Sequence, residues 1–263
     1  MRYNAGKNSS ITKIYKELPA VLKKLYNRSL FQPTLFGLFF NPFFIIRGGL
    51  YKGISKSSAH MQGRLLDFGC GSKPYKALFH VTEYIGTDIE VSGHDHRNEE
   101  IDVYYDGKTL PFTDAYFDSI FSSEVFEHIF NLPEILGELH RVLKPGGRML
   151  VTLPFVWDEH EIPYDYARYT SFGIRHLIEQ SGFIVLESQK TTNYVATICQ
   201  MWIAYIYQHI FPKHKMFRIA LTPLFITPFT LCGLLLSALL PKNMNFFHNN
   251  ILVVQKPANQ PES

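Results

Sequence analysis

Between Arg64 and Lys190 short β-rich runs alternate with helix-forming segments, and this alternation limits the fold more than any other feature of the 263-residue sequence. RLLDF, EYIGTDI, IDVYY, FDSIFSS and RMLVTLPF read as strands, and LPEILGELHRVLKPGG, between the last two, repeats apolar residues at a helical period and closes on Pro-Gly-Gly. Strands alternating with helices predict βαβ units and a parallel sheet. TSFGIRHLIEQSG predicts another helix, opened by the capping pair Thr170 and Ser171, and leads into a strand over Gly182 to Lys190. ILVVQK, Ile251 to Lys256, is the last strand. About sixty residues rich in leucine and aromatics separate these two strands, more than a loop requires.

Net charge matters through its distribution. Residues 1–63 carry ten basic side chains and one acid, residues 64–190 eleven and twenty-one, and residues 191–263 five and one. The basic ends, not the acidic middle, are therefore suited to an anionic surface. Apolar positions from Ile11 to Tyr26 recur at helical spacing among lysines, with Pro19 dividing them into two short helices. Leu30 to Ile46 is apolar but too broken by Pro33 and Pro42 for a membrane span. Charge interrupts the first 28 residues repeatedly, so no secretory signal is expected. Cys70, Cys199 and Cys232 lack any disulfide or zinc spacing and point to a reducing compartment.

In open parallel sheets ligands bind at the carboxyl ends of the strands. LLDFGCGS, Leu65 to Ser72, puts Gly69 and Gly71 where the first strand turns into its helix, and glycines there let the backbone approach a ligand. Asp88 ends the second strand, 21 residues beyond Asp67, where an acidic residue can accept both ribose hydroxyls. Asp106 follows the third strand.

These residues resemble the class I S-adenosylmethionine-dependent methyltransferases, in particular the type 11-like subgroup with ubiquinone-pathway and glycan-modifying enzymes. The similarity runs from about Arg64 to Lys190 plus the last strand, through DFGCGS, GTDIE, DGKTLPF, FDSIFSSEVFEHI and LKPGGRMLV in order. It implies S-adenosylmethionine as cofactor, with Asp67, Gly69 and Gly71 around the methionine moiety, Asp88 at the ribose, Asp106 at the adenine edge, and Ser122 or Ser123 as further contacts, Ser123 foremost. It also implies a Rossmann-like seven-stranded, mostly parallel sheet with helices on both faces. To this are added an N-terminal helical arm (1–60) and an apolar helical insertion (193–246) before the last strand, around a cofactor domain of 61–192 plus 247–257 and a tail of 258–263. Lys73 stands where many members carry a third glycine. A nicotinamide-binding reading fails, because Pro74 occupies a position that needs glycine or alanine.

Methyl transfer to an oxygen needs a base, and His128, His160 and Asp165 are the candidates. Glu124, Glu127 and His128 share one face if the segment is helical. A similar E-x-x-E-H group accompanies a divalent ion in the ubiquinone-pathway O-methyltransferases; here the expectation is that the glutamates are solvated and no metal is bound. In HEIPYDYARYT, residues 160–170, Tyr164, Tyr166 and Tyr169 are candidate walls for an acceptor, with Arg168 either binding an anionic group or pairing with Asp165. Ser122, Ser123 and Glu124 replace the (D/N)PP(Y/F) common in amino-methyltransferases, which favours oxygen or carbon acceptors. The expected protein is a cytoplasmic methyltransferase, peripheral or monotopic on the membrane, that methylates an oxygen of a small-molecule or lipid-linked acceptor. No nucleic-acid partner is expected. A non-catalytic S-adenosylmethionine-binding module, or a C- or N-methyltransferase, is the alternative.

Overall fold

A computed structural model describes residues 28–90 and 100–258. The expected helices of residues 11–28 and the end of the tail fall outside them, Arg28 apart. The sheet has seven strands: β1 (Arg64–Phe68), β2 (Glu83–Ile89), β3 (Val103–Tyr105), β4 (Phe117–Ser123), β5 (Leu143–Pro154), β6 (Ile184–Lys190) and β7 (Asn249–Gln255). Their order is β3-β2-β1-β4-β5-β7-β6, and only β7 runs antiparallel to its neighbours.

Both faces of the central strands are buried, and their apolar residues alternate between two cores. Leu66, Phe68, Ile120, Met149 and Val151 point to one face, where they meet Leu132, Ile135, Leu136 and Leu139 of α3 (Leu132–Val142) and Ile174 and Ile178 of α4 (Ser171–Gln180). Leu65, Phe121, Leu150 and Val253 point to the other, against Ile54, Tyr75 and Phe79. Burying each of these side chains stabilises the fold by about 1.5–3 kcal/mol. The Thr170 side chain caps α4 by accepting the Gly173 N–H at 3.0 Å, as the sequence suggests.

Two local expectations are corrected. β1 does not turn into a helix: the connection to β2 holds a single tight turn, Lys76–Leu78, because Tyr75 and Phe79 are buried as individual plugs instead of along a helical stripe. The face this leaves open is covered from upstream by α2 (Phe44–Ser57), which follows the short α1 (Leu35–Phe40). The fit is close enough that a Cβ on Gly53 would lie 2.2 Å from Ile251 Cδ1. Lys144-Pro-Gly-Gly is not a turn after α3 either; it lies within β5, where the register against β4 shifts between Phe117 and Ser119.

The insertion between β6 and β7 forms a helical hairpin. α5 (Tyr194–Tyr205) runs into a wider turn at Ile206–Ile210, and α6 (Lys215–Leu221), Thr222–Ile226 and α7 (Thr227–Leu239) follow. α5 and α7 approach closely at Gly233, where a Cβ would lie 2.8 Å from Cys199 Cβ. Ile45 of α2 packs with Ala196, Ile203, Phe211 and Ile226, so arm and insertion share a small core.

Candidate functional site

At the carboxyl ends of β1 and β2 the glycine loop and two acids come together. Asp67 is buried and accepts the Tyr84 hydroxyl proton at 2.6 Å; burial pushes its carboxyl up to about 7. Gly69 (φ +72°) passes beneath Val125, where a Cβ would meet Val125 Cγ2 at 2.3 Å. Gly71 (φ +44°) donates its N–H to Asp88 Oδ2 at 3.1 Å, while Asp88 Oδ1 accepts from Ile89 N–H. Asp88 is 7% exposed.

Lys73, in place of a third glycine, adopts φ +51°, unusual for a residue with a side chain. Its buried ammonium donates to Asp102 Oδ2 at 2.6 Å, and Asp102 also accepts Gly86 N–H. The charge-assisted bond holds the loop in the conformation a glycine would otherwise permit.

Asp106 is exposed and accepts the N–H groups of Lys108 and Thr109 at 2.8 and 2.7 Å, so it orders its own turn. The Ser123 hydroxyl lies 2.9 Å from Thr152 Oγ1, which itself donates to Glu124 Oε1. The Ser122 hydroxyl is buried without a hydrogen-bond partner among the described residues.

The expectation that Glu124, Glu127 and His128 share a helical face fails, as does the expectation that the glutamates are solvated. Glu124 has φ +56° and precedes a short turn over Phe126–His128, so its side chain leaves in a different direction. Its carboxylate accepts from Thr152 and from Asn249 Nδ2 (2.7 Å), and burial pushes it up to about 7. Glu127 is fully buried, and burial together with the charge of Glu124 raises its carboxyl well above the ordinary value.

His128, His160 and Asp165 are brought together. The two imidazole rings meet edge to face with centroids 4.8 Å apart, and His160 Nδ1 lies 3.2 Å from Asp165 Oδ2. Asp165 also accepts His160 N–H and pairs with both terminal nitrogens of Arg168, the nearer contacts lowering its carboxyl to about 2 against the opposing effect of burial. Arg168 is thus committed to Asp165, the second of its two expected roles.

A cavity of about 410 Å³ adjoins these groups. Its walls are Phe43 and Arg47 from the arm, Gln208 from the insertion, and Glu124, Trp157 and His160 from the sheet's end. Tyr164 and Tyr166 are instead exposed, and Tyr166 packs on Phe130. Phe43 meets Trp157 and Tyr207 edge to face at 5.6 and 5.8 Å. Sequence reasoning missed Arg47, Asn249 and Gln208. Only Asn249, in a polar pair opening an otherwise apolar strand, carried a local signal.

Comparison with known proteins agrees with this architecture. Residues 66–151 match the family described as methyltransferase domain. A malonyl-[acyl-carrier protein] O-methyltransferase from Erwinia pyrifoliae is 37% identical over 93 residues, 33% of this chain and 36% of that protein. The ubiquinone/menaquinone biosynthesis C-methyltransferase UbiE of Vibrio vulnificus is 28% identical over 182 residues, 60% of this chain and 66% of its own. The chain therefore spans about a third to two thirds of the length of these relatives. Among solved structures, a phosphoethanolamine N-methyltransferase 2 of Haemonchus contortus with S-adenosyl-L-methionine is similar in fold, with TM-score 0.51, 20% identity and coverage of 84% and 55%. The [4+2]-cyclase SpnF has the same TM-score, with 18% identity and coverage of 80% and 81%. With its seven-stranded sheet, its glycine loop and the domain match over 66–151, the chain carries a methyltransferase domain and is similar over it to the class I S-adenosylmethionine-dependent methyltransferases.

Proposed function

We propose that this chain transfers the methyl group of S-adenosylmethionine to an oxygen of a small or lipid-linked acceptor at the cytoplasmic face of a membrane. The observation that carries the reading is the cavity beside Glu124, which lies next to the residue covering Gly69 and is walled by the arm and the insertion. Sites of this size suit a small ligand or the head of a larger one.

The donor set at the sheet's end fits the cofactor. Asp67 is a buried carboxylate whose charge a cationic ligand would stabilise, Gly69 leaves no room for a side chain, and Asp88 is placed at a strand end to accept hydroxyls. When bound, S-adenosylmethionine supplies a methyl group already activated on a sulfonium. The chain then has to orient the acceptor, exclude water and, for an oxygen acceptor, handle one proton. His160, backed by Asp165 and flanked by His128, is the group in the cavity wall suited to activate the hydroxyl. Asp106 and Ser123 complete the proposed cofactor contacts from the ends of β3 and β4.

The membrane reading rests on the outer face of the hairpin. The continuous helix Phe217–Leu239 is long and apolar enough to cross a membrane, yet only 28% of its most apolar stretch is buried. Trp202, Leu224, Leu235 and Leu239 are more than half exposed. Because β6 and β7 pair within one sheet, the hairpin must return to the side it left. An interfacial position meets both conditions, and Lys213 and Arg218 at its turn would each add about 1 kcal/mol beside anionic headgroups.

Radiolabelled S-adenosylmethionine added to protein and membrane extract is expected to place label in the organic phase and release S-adenosylhomocysteine. Label found only in nucleic acid or protein, or no turnover with any extract, refutes the reading. His160→Ala is expected to lower transfer by about 10²- to 10⁴-fold while cofactor affinity is kept. On fractionation the protein should pellet with membranes, resist high salt and come off in detergent.

A further inference from the structure

We infer that the cavity between α2 and the carboxyl end of β6 binds the phosphate group of a phosphorylated ligand, held by Lys52, Lys56 and Lys190. The cavity has a volume of about 330 Å³ and shares no lining residue with the one beside Glu124. One wall is a face of α2, formed by Gly49, Lys52, Gly53 and Lys56 at i, i+3, i+4 and i+7. The other is the end of β6 with Thr191 and Thr192 beyond it, together with Ile251 of β7.

The glycines let the helix backbone come close to these strands. A Cβ on Gly49 would lie 3.1 Å from Thr191 Cβ, and one on Gly53 would run into Ile251. Glycine inside a helix costs stability relative to alanine. Here the close approach brings two lysines of the helix to the same cavity as Lys190.

The lining holds three ammonium groups and no carboxylate. α2 contains Arg47, Lys52 and Lys56 and no acid, and Lys52 and Lys56 stand four residues apart, where like charges on a helix repel. Neither of these two side chains has an ion pair or hydrogen bond among the described residues. Glu187, the nearest acid along β6, is taken by His60 at 2.9 Å. The repulsion is therefore left for a bound anion to relieve.

Lys190 is already held in place. Its Nζ donates to the Met244 carbonyl at 3.1 Å and lies 4.5 Å from the centroid of the Phe247 ring, which leaves further N–H groups for a ligand. The neighbouring hydroxyls are spent within the protein: Thr191 donates to Asn249 Oδ1 and Thr192 to the Thr191 carbonyl. The donors left over are chiefly ammonium groups.

An ammonium binds phosphate as a point charge, and a phosphate monoester carries about −1.5 to −2 at pH 7 on three acceptor oxygens. That is enough to engage three lysines, whereas a carboxylate with its single charge is not. The volume exceeds what the phosphate fills, so the group that carries it has room. The headgroup of a phosphatidate lipid and a soluble phosphate ester share this chemistry. The inference needs neither the transfer reaction nor the membrane reading, because phosphate binding is measured without cofactor, acceptor or lipid.

The test titrates inorganic phosphate into the full-length protein at constant ionic strength, made up with chloride, and follows ³¹P line broadening. Saturable binding of one phosphate per chain is expected, with acetate competing at least about tenfold more weakly. Lys52→Gln/Lys56→Gln and, separately, Lys190→Gln should each weaken binding by about tenfold or more. Lys108→Gln, which removes an exposed lysine beyond β3 at the opposite edge of the sheet, should stay within about twofold. Both lysines of α2 are exposed and glutamine is a good helix former, so their variant keeps the fold. Vesicles of phosphatidic acid in phosphatidylcholine then identify the source. If Lys52→Gln/Lys56→Gln loses vesicle binding that Lys108→Gln keeps, the phosphate is that of a lipid headgroup; if vesicle binding is unchanged, it belongs to a soluble ester. No saturable broadening with the parent protein, or lysine variants that bind phosphate as tightly as the parent, overturns the proposal.

Discussion

Asp88→Ala is expected to lower the affinity for S-adenosylmethionine by about 10- to 150-fold, the equivalent of losing hydrogen bonds to a charged group worth about 1.5–3 kcal/mol. Asp88 sits at the end of β2 with its carboxylate almost fully buried. Oδ2 also holds Gly71 N–H at 3.1 Å, so the substitution removes both the proposed ligand contact and a support of the glycine loop. Gly69, Gly71 and Lys73 all have positive φ, and a loop so far from extended or helical backbone depends on its few fixed points. Asp88→Asn, which keeps an acceptor but not the charge, should fall between the parent and the alanine variant. Calorimetry giving equal affinity for parent and Asp88→Ala would remove Asp88 from the cofactor site.

The strand ends and glycine turn of the proposed cofactor site are legible in the sequence because each part is local. A strand end, a glycine turn and an acid at the end of the next strand are each encoded within a few residues, and the parallel sheet brings the ends together. RLLDF and FDSIFSS carry apolar residues on both faces, Leu65 and Phe121 on one and Leu66 and Ile120 on the other, which places them inside a sheet covered on both sides. The segment after β1 misleads because Gly-Ser-Lys-Pro-Tyr and the apolar residues beyond it can equally open a helix or fold as separate plugs. The choice is made by α2, whose residues lie upstream and cover the same face. Nothing near Gly69 announces that.

The proposed acceptor half is less legible for the same reason in reverse. Glu124 and Glu127 seem to share a face only if the backbone between them is helical, and the left-handed Glu124 breaks that geometry. Its carboxylate then bonds Asn249, 125 residues away, and the cavity beside it is closed by Arg47 and Gln208. Contacts of this separation leave no periodicity to read. What the sequence does contain is an excess of polar residues in apolar settings, of which Asn249 and Gln200 are two.

Gln200→Leu is expected to lower the melting temperature by about 6–12 °C. Gln200 lies in α5 of the insertion and is 0% exposed. Its Oε1 accepts the N–H groups of Ile45 and Ile46 at 3.2 and 3.3 Å, and its Nε2 donates to the Pro42 carbonyl at 2.9 Å. Ile45 and Ile46 are in the first turn of α2, whose N–H groups have no partner within the helix, and Phe43 at its N-cap offers none. A side chain more than 150 residues downstream therefore caps the arm's main helix. Leucine fills a similar volume but leaves two buried N–H groups and one carbonyl unpaired, at about 1–3 kcal/mol each. A combined loss near 3 kcal/mol corresponds to that shift at 2–4 °C per kcal/mol for a chain of this size. Gln200→Glu should also destabilise at neutral pH, because an ionised carboxylate would be buried with one oxygen against the Pro42 carbonyl oxygen, and should recover as the pH falls and the protonated carboxyl can donate to Pro42. Cofactor affinity should stay within a few-fold of the parent in both variants, since the glycine loop is elsewhere. Transfer to the acceptor should fall further than cofactor binding, because Gln200 is one of the contacts that hold Phe43 and Arg47 on one wall of the cavity in register with Gln208 on another. A melting temperature for Gln200→Leu within about 2 °C of the parent would show that arm and insertion are not coupled there.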